Sequence, residues 1–248
     1  MITGKAKAVL NGIVSADAGI TTIRHKTGNK HQLCFAVDIT EGWGERKTTT
    51  RVMVDKVYEV GKADALADAL SYGTAVTIIG VPRAEMYNGA ATIIISAKRI
   101  LLQGKNVNMS GTLTCFVTGS VFKAGIRTVN TAKGAKDVFS VTVKTVDGFG
   151  DNKIPLWVEA ERWYDQGKAD KVLEHSAKDT IVSFEGSLKA SEYNGKARLK
   201  LMMDEYELLG KDEEPAGSEA TNSNSNTSAT PPPPASSAAY SVDDDLPF

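Results

Sequence analysis

The sequence is poor in cysteine, in histidine and, over most of its length, in proline. Cys34 and Cys115 are the only cysteines among 248 residues and stand at non-equivalent places in the chain. That argues against a disulfide framework or a cysteine zinc site and for buried or half-buried free thiols. His25, His31 and His175 are the only histidines, and no H-E-x-x-H, G-x-S-x-G or Gly-x4-Gly-Lys-Ser/Thr motif is present. No apparatus for hydrolytic, nucleotide-dependent or metal-dependent catalysis is visible, so a non-enzyme with no cofactor and no metal is expected. No apolar run approaches the roughly 18 to 20 residues of a membrane span. The opening MITGKAKAVLNG also lacks the apolar core of a signal peptide. A soluble, cytoplasmic protein without a membrane partner is the expectation.

A strong net charge is missing too. With 29 Lys+Arg against 30 Asp+Glu the formal charge is -1, which at first sight disfavours a polyanionic partner. The mean conceals a split. Residues 212–248 carry seven acids and no base, leaving 29 bases and 23 acids in residues 1–211, a net of +6. The first 105 residues hold 14 bases and 9 acids, and residues 106–211 hold 15 and 14. A mildly basic body with an acidic tail points toward a polyanion.

What is present in abundance is repetition. At an offset of 106, GVPRAEMYNGAATIIISAKRILLQGK (80–105) overlies GSLKASEYNGKARLKLMMDEYELLGK (186–211). Tyr58-Glu-Val-Gly-Lys-Ala-Asp64 likewise overlies Tyr164-Asp-Gln-Gly-Lys-Ala-Asp170, and Ala18-Gly19-Ile20 overlies Ala124-Gly125-Ile126. Two tandem copies of one domain follow, 1–105 and 106–211.

Within each copy the period identifies the elements. Lys5 to Val14 reads as a first strand. Phe35, Val37 and Ile39 alternate along His31–Glu41, as do Phe139, Val141 and Val143, which is the pattern of a half-buried strand. Lys47–Asp55 buries Val52 and Val54, and its counterpart buries Val158 and Ala160. Ala63, Leu66, Ala67 and Leu70 then follow helical spacing, predicting a three-turn helix that stops before Gly73. Thr74–Val81 and Ala90–Leu101 form a hairpin through Asn88-Gly89. Five strands with a helix between the third and fourth is the order of the OB-fold, so the expected class is all-β, two tandem OB-folds.

The tail is of another kind. Asp212 to Ala239 contains no Val, Ile, Leu, Met, Phe, Trp, Tyr or Cys, and six of the eight prolines lie beyond residue 211. Such a segment cannot offset its chain entropy by burial and is expected to be a disordered linker over 212–248. It ends in Asp243-Asp244-Asp245-Leu246-Pro247-Phe248, an apolar tip with carboxylates beside it. That is the chemistry of a peptide whose Phe248 fills a pocket while its acids meet Lys or Arg at the rim.

An acidic tip of this form on a Pro/Ser/Asn-rich linker behind OB-folds resembles the bacterial single-stranded DNA-binding proteins. The resemblance covers nearly the whole chain. The usual form has one OB domain per chain and assembles as a tetramer, whereas two copies resemble the two-domain form, in which a homodimer supplies four OB domains. Leu246 stands where Ile is commoner, a change that nearly conserves volume. The resemblance implies non-catalytic, nucleoid-associated binding and protection of single-stranded DNA. It also implies that Asp243 to Phe248 recruit replication, recombination and repair proteins. The rival reading is a replication or recombination accessory protein that acts mainly as an adaptor and binds DNA weakly.

Sequence-tolerant binding of a single strand needs exposed aromatic faces and a track of cations. Val158 and Ala160 fix the core parity of their strand, so Trp157 points to the open face, beside Glu159 and Glu161. Trp163 shares that parity, and Trp-x5-Trp is similar to the family's spacing of stacking aromatics. Arg51 and Val57 are the first-copy equivalents, and a guanidinium can both stack and meet phosphate. Trp43 and Phe149 are bracketed by glycines after the second strand of each copy. Tyr87 and Tyr193 flank the Asn-Gly turns. Arg83 and Lys189 at the hairpin base, with Lys196 and Arg198 in the second hairpin, complete the expected track, supported by Arg46, Lys47, Lys144 and Lys153.

Overall fold

The computed structural model describes residues 4–41, 47–105, 107, 109–147 and 154–211. The linker and acidic tip, 212–248, lie outside the described residues. The first copy runs β1 (Lys5–Val14), β2 (Gly19–His25), β3 (Gly28–Glu41), β4 (Thr48–Glu59), α1 (Asp64–Ala69), β5 (Thr74–Tyr87) and β6 (Ala90–Lys105). The second runs β7 (Thr112–Thr131), β8 (Gly134–Asp147), β9 (Ile154–Asp165), α2 (Asp170–His175), β10 (Thr180–Tyr193) and β11 (Lys196–Lys211). From β3 and β8 onward every element of one copy is matched by the other at an offset of 106 residues.

The alternation read from the sequence sets the core. Phe35, Val37, Ile39, Val52 and Val54 are buried, as are Phe139, Val141, Val143, Val158 and Ala160. Each fully buried Val, Leu, Ile or Phe side chain stabilises the fold by about 1.5–3 kcal/mol relative to exposure. A one-residue slip of any strand would turn that set toward water, so burial pins the register. In the first copy β1 pairs with β5, β5 with β6, β6 in parallel with β4, β4 with β3, and β3 back with β1, closing a ring. In the second, β7, β10, β11, β9 and β8 close in the same order. The hairpins turn through Asn88-Gly89 and Asn194-Gly195, all four with positive φ, as a two-residue type I′ turn requires. Gly80 and Gly186 sit at equivalent register shifts in these hairpins, where a Cβ would collide with the carbonyl oxygens of Ser96 and Met202.

Two expectations need correction. The three-turn helix is a six-residue helix in each copy. Its apolar stripe is as read, with Ala63 and Leu70 buried and Leu66 and Ala67 packed against the core, but Ala63 and Leu70 are the caps. The chain cannot continue helically because Leu70 accepts a hydrogen bond from Ala18 N–H at 3.1 Å and Gly73 donates to Val14 O at 2.9 Å, which returns it to the sheet at once. The second correction is a sixth strand, β2, in the first copy. It pairs with β3 from Gly19↔Cys34 to His25↔Gly28, and in the second copy the same length is absorbed into the single long β7. The turn before each helix is fastened at equivalent positions: Gly61 N–H donates to His31 Nδ1 at 3.3 Å and Gly167 N–H to Asp137 Oδ2 at 2.6 Å.

The two rings share one sheet. β1 and β7 pair antiparallel from Lys5↔Thr118 to Asn11↔Thr112, with Ala8 opposite Cys115 and both fully buried. Because Thr114 is the repeat equivalent of Ala8 and Cys115 that of Val9, the pairs Ala8↔Cys115 and Val9↔Thr114 are symmetry mates. The seam is therefore self-complementary, as in a two-fold subunit contact. Asn11 fastens one end of it, donating to Thr112 Oγ1 at 2.9 Å while accepting from Thr77 Oγ1 at 2.7 Å.

Candidate nucleic-acid interface

On β9 the core parity leaves Trp157 44% exposed, and it does not stand alone. Phe122, itself exposed, meets it in a T with ring centroids 5.0 Å apart and planes at 76°. Lys144, the cross-strand neighbour of Trp157, holds its ammonium 5.9 Å from the indole centroid. A flat apolar ring, a second ring that fixes its attitude and a cation over it can accept a nucleobase, with the ammonium turning to the phosphate next to it. Phe122 was not among the residues expected from the sequence. It lies at the bulge between Val121 and Lys123, and the buried alternation Val117, Gly119, Val121 turns it outward. An outward Phe on an alternating strand was the signal available.

Trp163 is also exposed, at 45%, about 20 Å further along β9 by the usual strand rise. It lines a separate open groove of about 440 Å³ with Lys133, Lys136, Tyr164, Asp165 and Lys168. Lys136 is ion-paired with Asp165, whose carboxyl is held below its ordinary value by that partner first. Lys133 and Lys168 are exposed at its rim. Hairpin and helix-entry lysines meet Trp163 there only through the fold, which no local pattern in the sequence marks. Between the two tryptophans the face is not open: Glu161 is only 6% exposed. Lys200 Nζ lies 2.9 Å and Arg127 Nη2 3.3 Å from its Oε1.

The hairpin aromatics are exposed as expected, Tyr87 at 58% and Tyr193 at 56%. The guanidinium of Arg198 lies 4.3 Å from the centroid of Tyr193, so two of the expected residues form one stacked cationic unit. Lys196, directly opposite Tyr193 in the ladder, and Lys189 are exposed.

In the first copy Arg83 and Arg51 are both engaged by carboxylates. Arg83 donates from Nη1 to Asp55 Oδ1 at 3.1 Å, from Nη2 to Asp55 Oδ2 at 2.7 Å and from Nε to Glu85 at 2.7 Å, and it also reaches Ser96. Burial alone would lower the Arg83 pKa, but Asp55 and Glu85 outweigh it and raise it. Burial would likewise lift Asp55, yet Arg83, Ser96 and Gln32 hold it below its usual value. Arg51, opposite Asp38, gives a two-point fork: Nε to Oδ1 at 2.8 Å and Nη2 to Oδ2 at 3.1 Å. The hydrogen bonds from Arg51 lower the Asp38 carboxyl below its ordinary value. Lys47 is exposed, whereas Trp43, Arg46, Phe149, Lys153 and the tip residues Asp243 to Phe248 lie outside the described residues.

Among the described residues no group of three His, Cys, Asp or Glu could hold a metal ion, and no helix is long and apolar enough to cross a membrane. Sequence comparison finds no matching protein family and no curated relative. Comparison with solved structures does find matches. The wild-type single-stranded DNA binding protein of Thermus aquaticus superposes with a TM-score of 0.60 at 13% identity, covering 89% of this chain and all of that one. A deletion variant of the same protein gives 0.62 at 13% identity, covering 87% of this chain and all of that one. At that identity the shared property is the fold.

Proposed function

We propose that this chain coats single-stranded DNA without catalysis, using each ring as an OB-fold module over 1–105 and 106–211. The observation that carries the reading is the Trp157, Phe122 and Lys144 unit, an exposed ring held at a fixed attitude beside a cation. Its chemistry is stacking plus phosphate neutralisation, which is what a sequence-tolerant single-strand binder requires. Tyr193 with Arg198, Lys196 and Lys189 extends the path along the second hairpin, Trp163 adds a second stacking contact in its own groove beside Lys133 and Lys168, and Phe149 belongs to it by its place in the repeat. In the first copy Tyr87, Trp43 and Arg51 are the corresponding contacts, while Arg83, saturated by carboxylates, serves as the strut that holds the hairpin base. The fold shared with a single-stranded DNA binding protein supports the same reading.

The chain works as a homodimer with four modules, in the cytoplasm on nucleoid DNA. Its tip, Asp243 to Phe248, recruits proteins of replication, recombination and repair. Titration with oligo-dT tests the core of this reading. Quenching of tryptophan emission and an affinity that falls with salt are expected, about 0.7 in log-log slope per phosphate neutralised on a single strand. A chain whose emission and mobility are indifferent to oligo-dT overturns it. For the tail, deleting Leu246 to Phe248 should leave DNA affinity intact or raised while abolishing capture of partner enzymes. Capture of the same partners by the truncated protein refutes that role.

A further inference from the structure

The repeat makes one position of the interface unusually informative. Arg51 and Trp157 are equivalent at the offset of 106, and so are their cross-strand neighbours, Asp38 and Lys144. In the second copy the neighbour is a cation beside an aromatic face. In the first it is an anion that takes the guanidinium side-on, along its Nε–Nη2 edge, at 2.8 and 3.1 Å. The Arg51 side chain is 62% exposed and that of Asp38 26%, so the pair sits at the surface, within reach of a ligand.

The same Arg51 lines an open groove of about 360 Å³ where the two rings meet. Thr50, Arg51 and the carboxylate-bearing Glu41 come from the first ring, Ser187 and Lys189 from the second, over an apolar floor that includes Ile93 and Leu188. A groove with a cation from each ring and an apolar floor suits a phosphodiester with its base turned inward. The Asp38 carboxylate already occupies the side-on edge of Arg51, one of the two-point geometries that a phosphate would use.

We propose that Asp38 is an internal competitor of nucleic-acid phosphate for Arg51. A strand entering the inter-ring groove meets a guanidinium whose Nε–Nη2 edge is already held by a carboxylate, whereas beside Trp157 the neighbouring charge is the Lys144 cation, which a phosphate attracts rather than displaces. The first copy is thereby held as the weaker, exchange-limited half, and Asp38 sets how much weaker. This rests on the single-strand reading above.

The experiment uses the full chain and fluorescently labelled oligo-dT, with anisotropy followed over a salt series. An exposed ion pair of this kind is weak and screened by salt, so Asp38→Asn should tighten binding only about two- to fivefold. The log-log salt slope should steepen by about 0.7, as for one further phosphate neutralised on a single strand. Asp38→Ser should do the same, and adding Arg51→Ala to Asp38→Asn should remove both changes. If the folded Asp38 variants keep the wild-type affinity and slope, the inference is overturned while the single-strand reading stands. If the wild-type chain itself binds no oligo-dT, both fall together.

Discussion

Trp157 is exposed because its neighbours Val158 and Ala160 are not, and its value to a ligand depends on keeping that attitude. Trp157→Ala should remove a stacking contribution of about 1–3 kcal/mol, which is roughly 5- to 150-fold in affinity for oligo-dT measured by anisotropy. Phe122→Ala should act more weakly and through Trp157, shifting its emission to the red before any DNA is added, because the T-shaped partner has gone. Unchanged emission would show that Phe122 does not fix the ring. Cys115 makes a different statement. Burial in the seam pushes its thiol from 9.0 up to about 12. As pH rises past 9 the unfolded thiol ionises and the folded one does not. Stability from this group is therefore whole below about 9 and drains between 9 and 12, by up to about 1.4 kcal/mol per pH unit. Urea midpoints of wild type minus Cys115→Ala over that range should show this slope, and native Cys115 should resist thiol reagents.

At the scale of elements each hairpin depends, beyond its turn, on a glycine at its register shift. Gly186→Ala should lower stability by about 2 kcal/mol or more, because the new Cβ has backbone, the Met202 carbonyl, in its way. Gly80→Ala should do likewise against Ser96, and urea denaturation reads both. A midpoint within error of wild type would mean that the bulge relaxes freely. Strands of this kind are legible in sequence wherever a buried face repeats at period 2, which is why β1, β3, β5 and β6 and their counterparts could be read. β2 could not be. Its apolar residues Ile20 and Ile23 are three apart, a spacing that fits no strand face, and it exists because β3 offers it an edge. The helices were legible in their stripe but not in their length, since hydrogen bonds to β1 and to the Ala18 amide end α1 from outside it. At the interface, exposure of Trp157, Trp163, Tyr87 and Tyr193 followed from local parity and turns. The capture of Arg51 by Asp38, and of Arg83 by Asp55, did not follow. Both depend on the register between strands that are joined by long connections or paired at a distance.

The described residues between 4 and 211 form one compact unit, and the seam explains why. β1 belongs to the first ring through β5 and β3 and at the same time forms the sheet with β7, which belongs to the second through β8 and β10. Neither ring can lose its first strand without exposing the other's. A self-complementary pairing of equivalent strands is what two separate copies would form across a two-fold axis, so the tandem chain carries a subunit contact inside one polypeptide. This coupling has a thermodynamic consequence. Ala8 is fully buried opposite Cys115, and Ala8→Asp would bury a carboxylate with no cation opposite it in the seam, at about 3 kcal/mol or more. If the rings were independent, calorimetry of this variant would resolve two transitions and leave the second ring's midpoint where it was. With a shared seam the whole endotherm should move down as one, and in a Trp43→Phe background, where Trp157 and Trp163 of the second ring are the remaining tryptophans, the emission change should move with it although the Ala8 substitution lies in the first. Two endotherms with one unshifted would show the seam to be a passive contact.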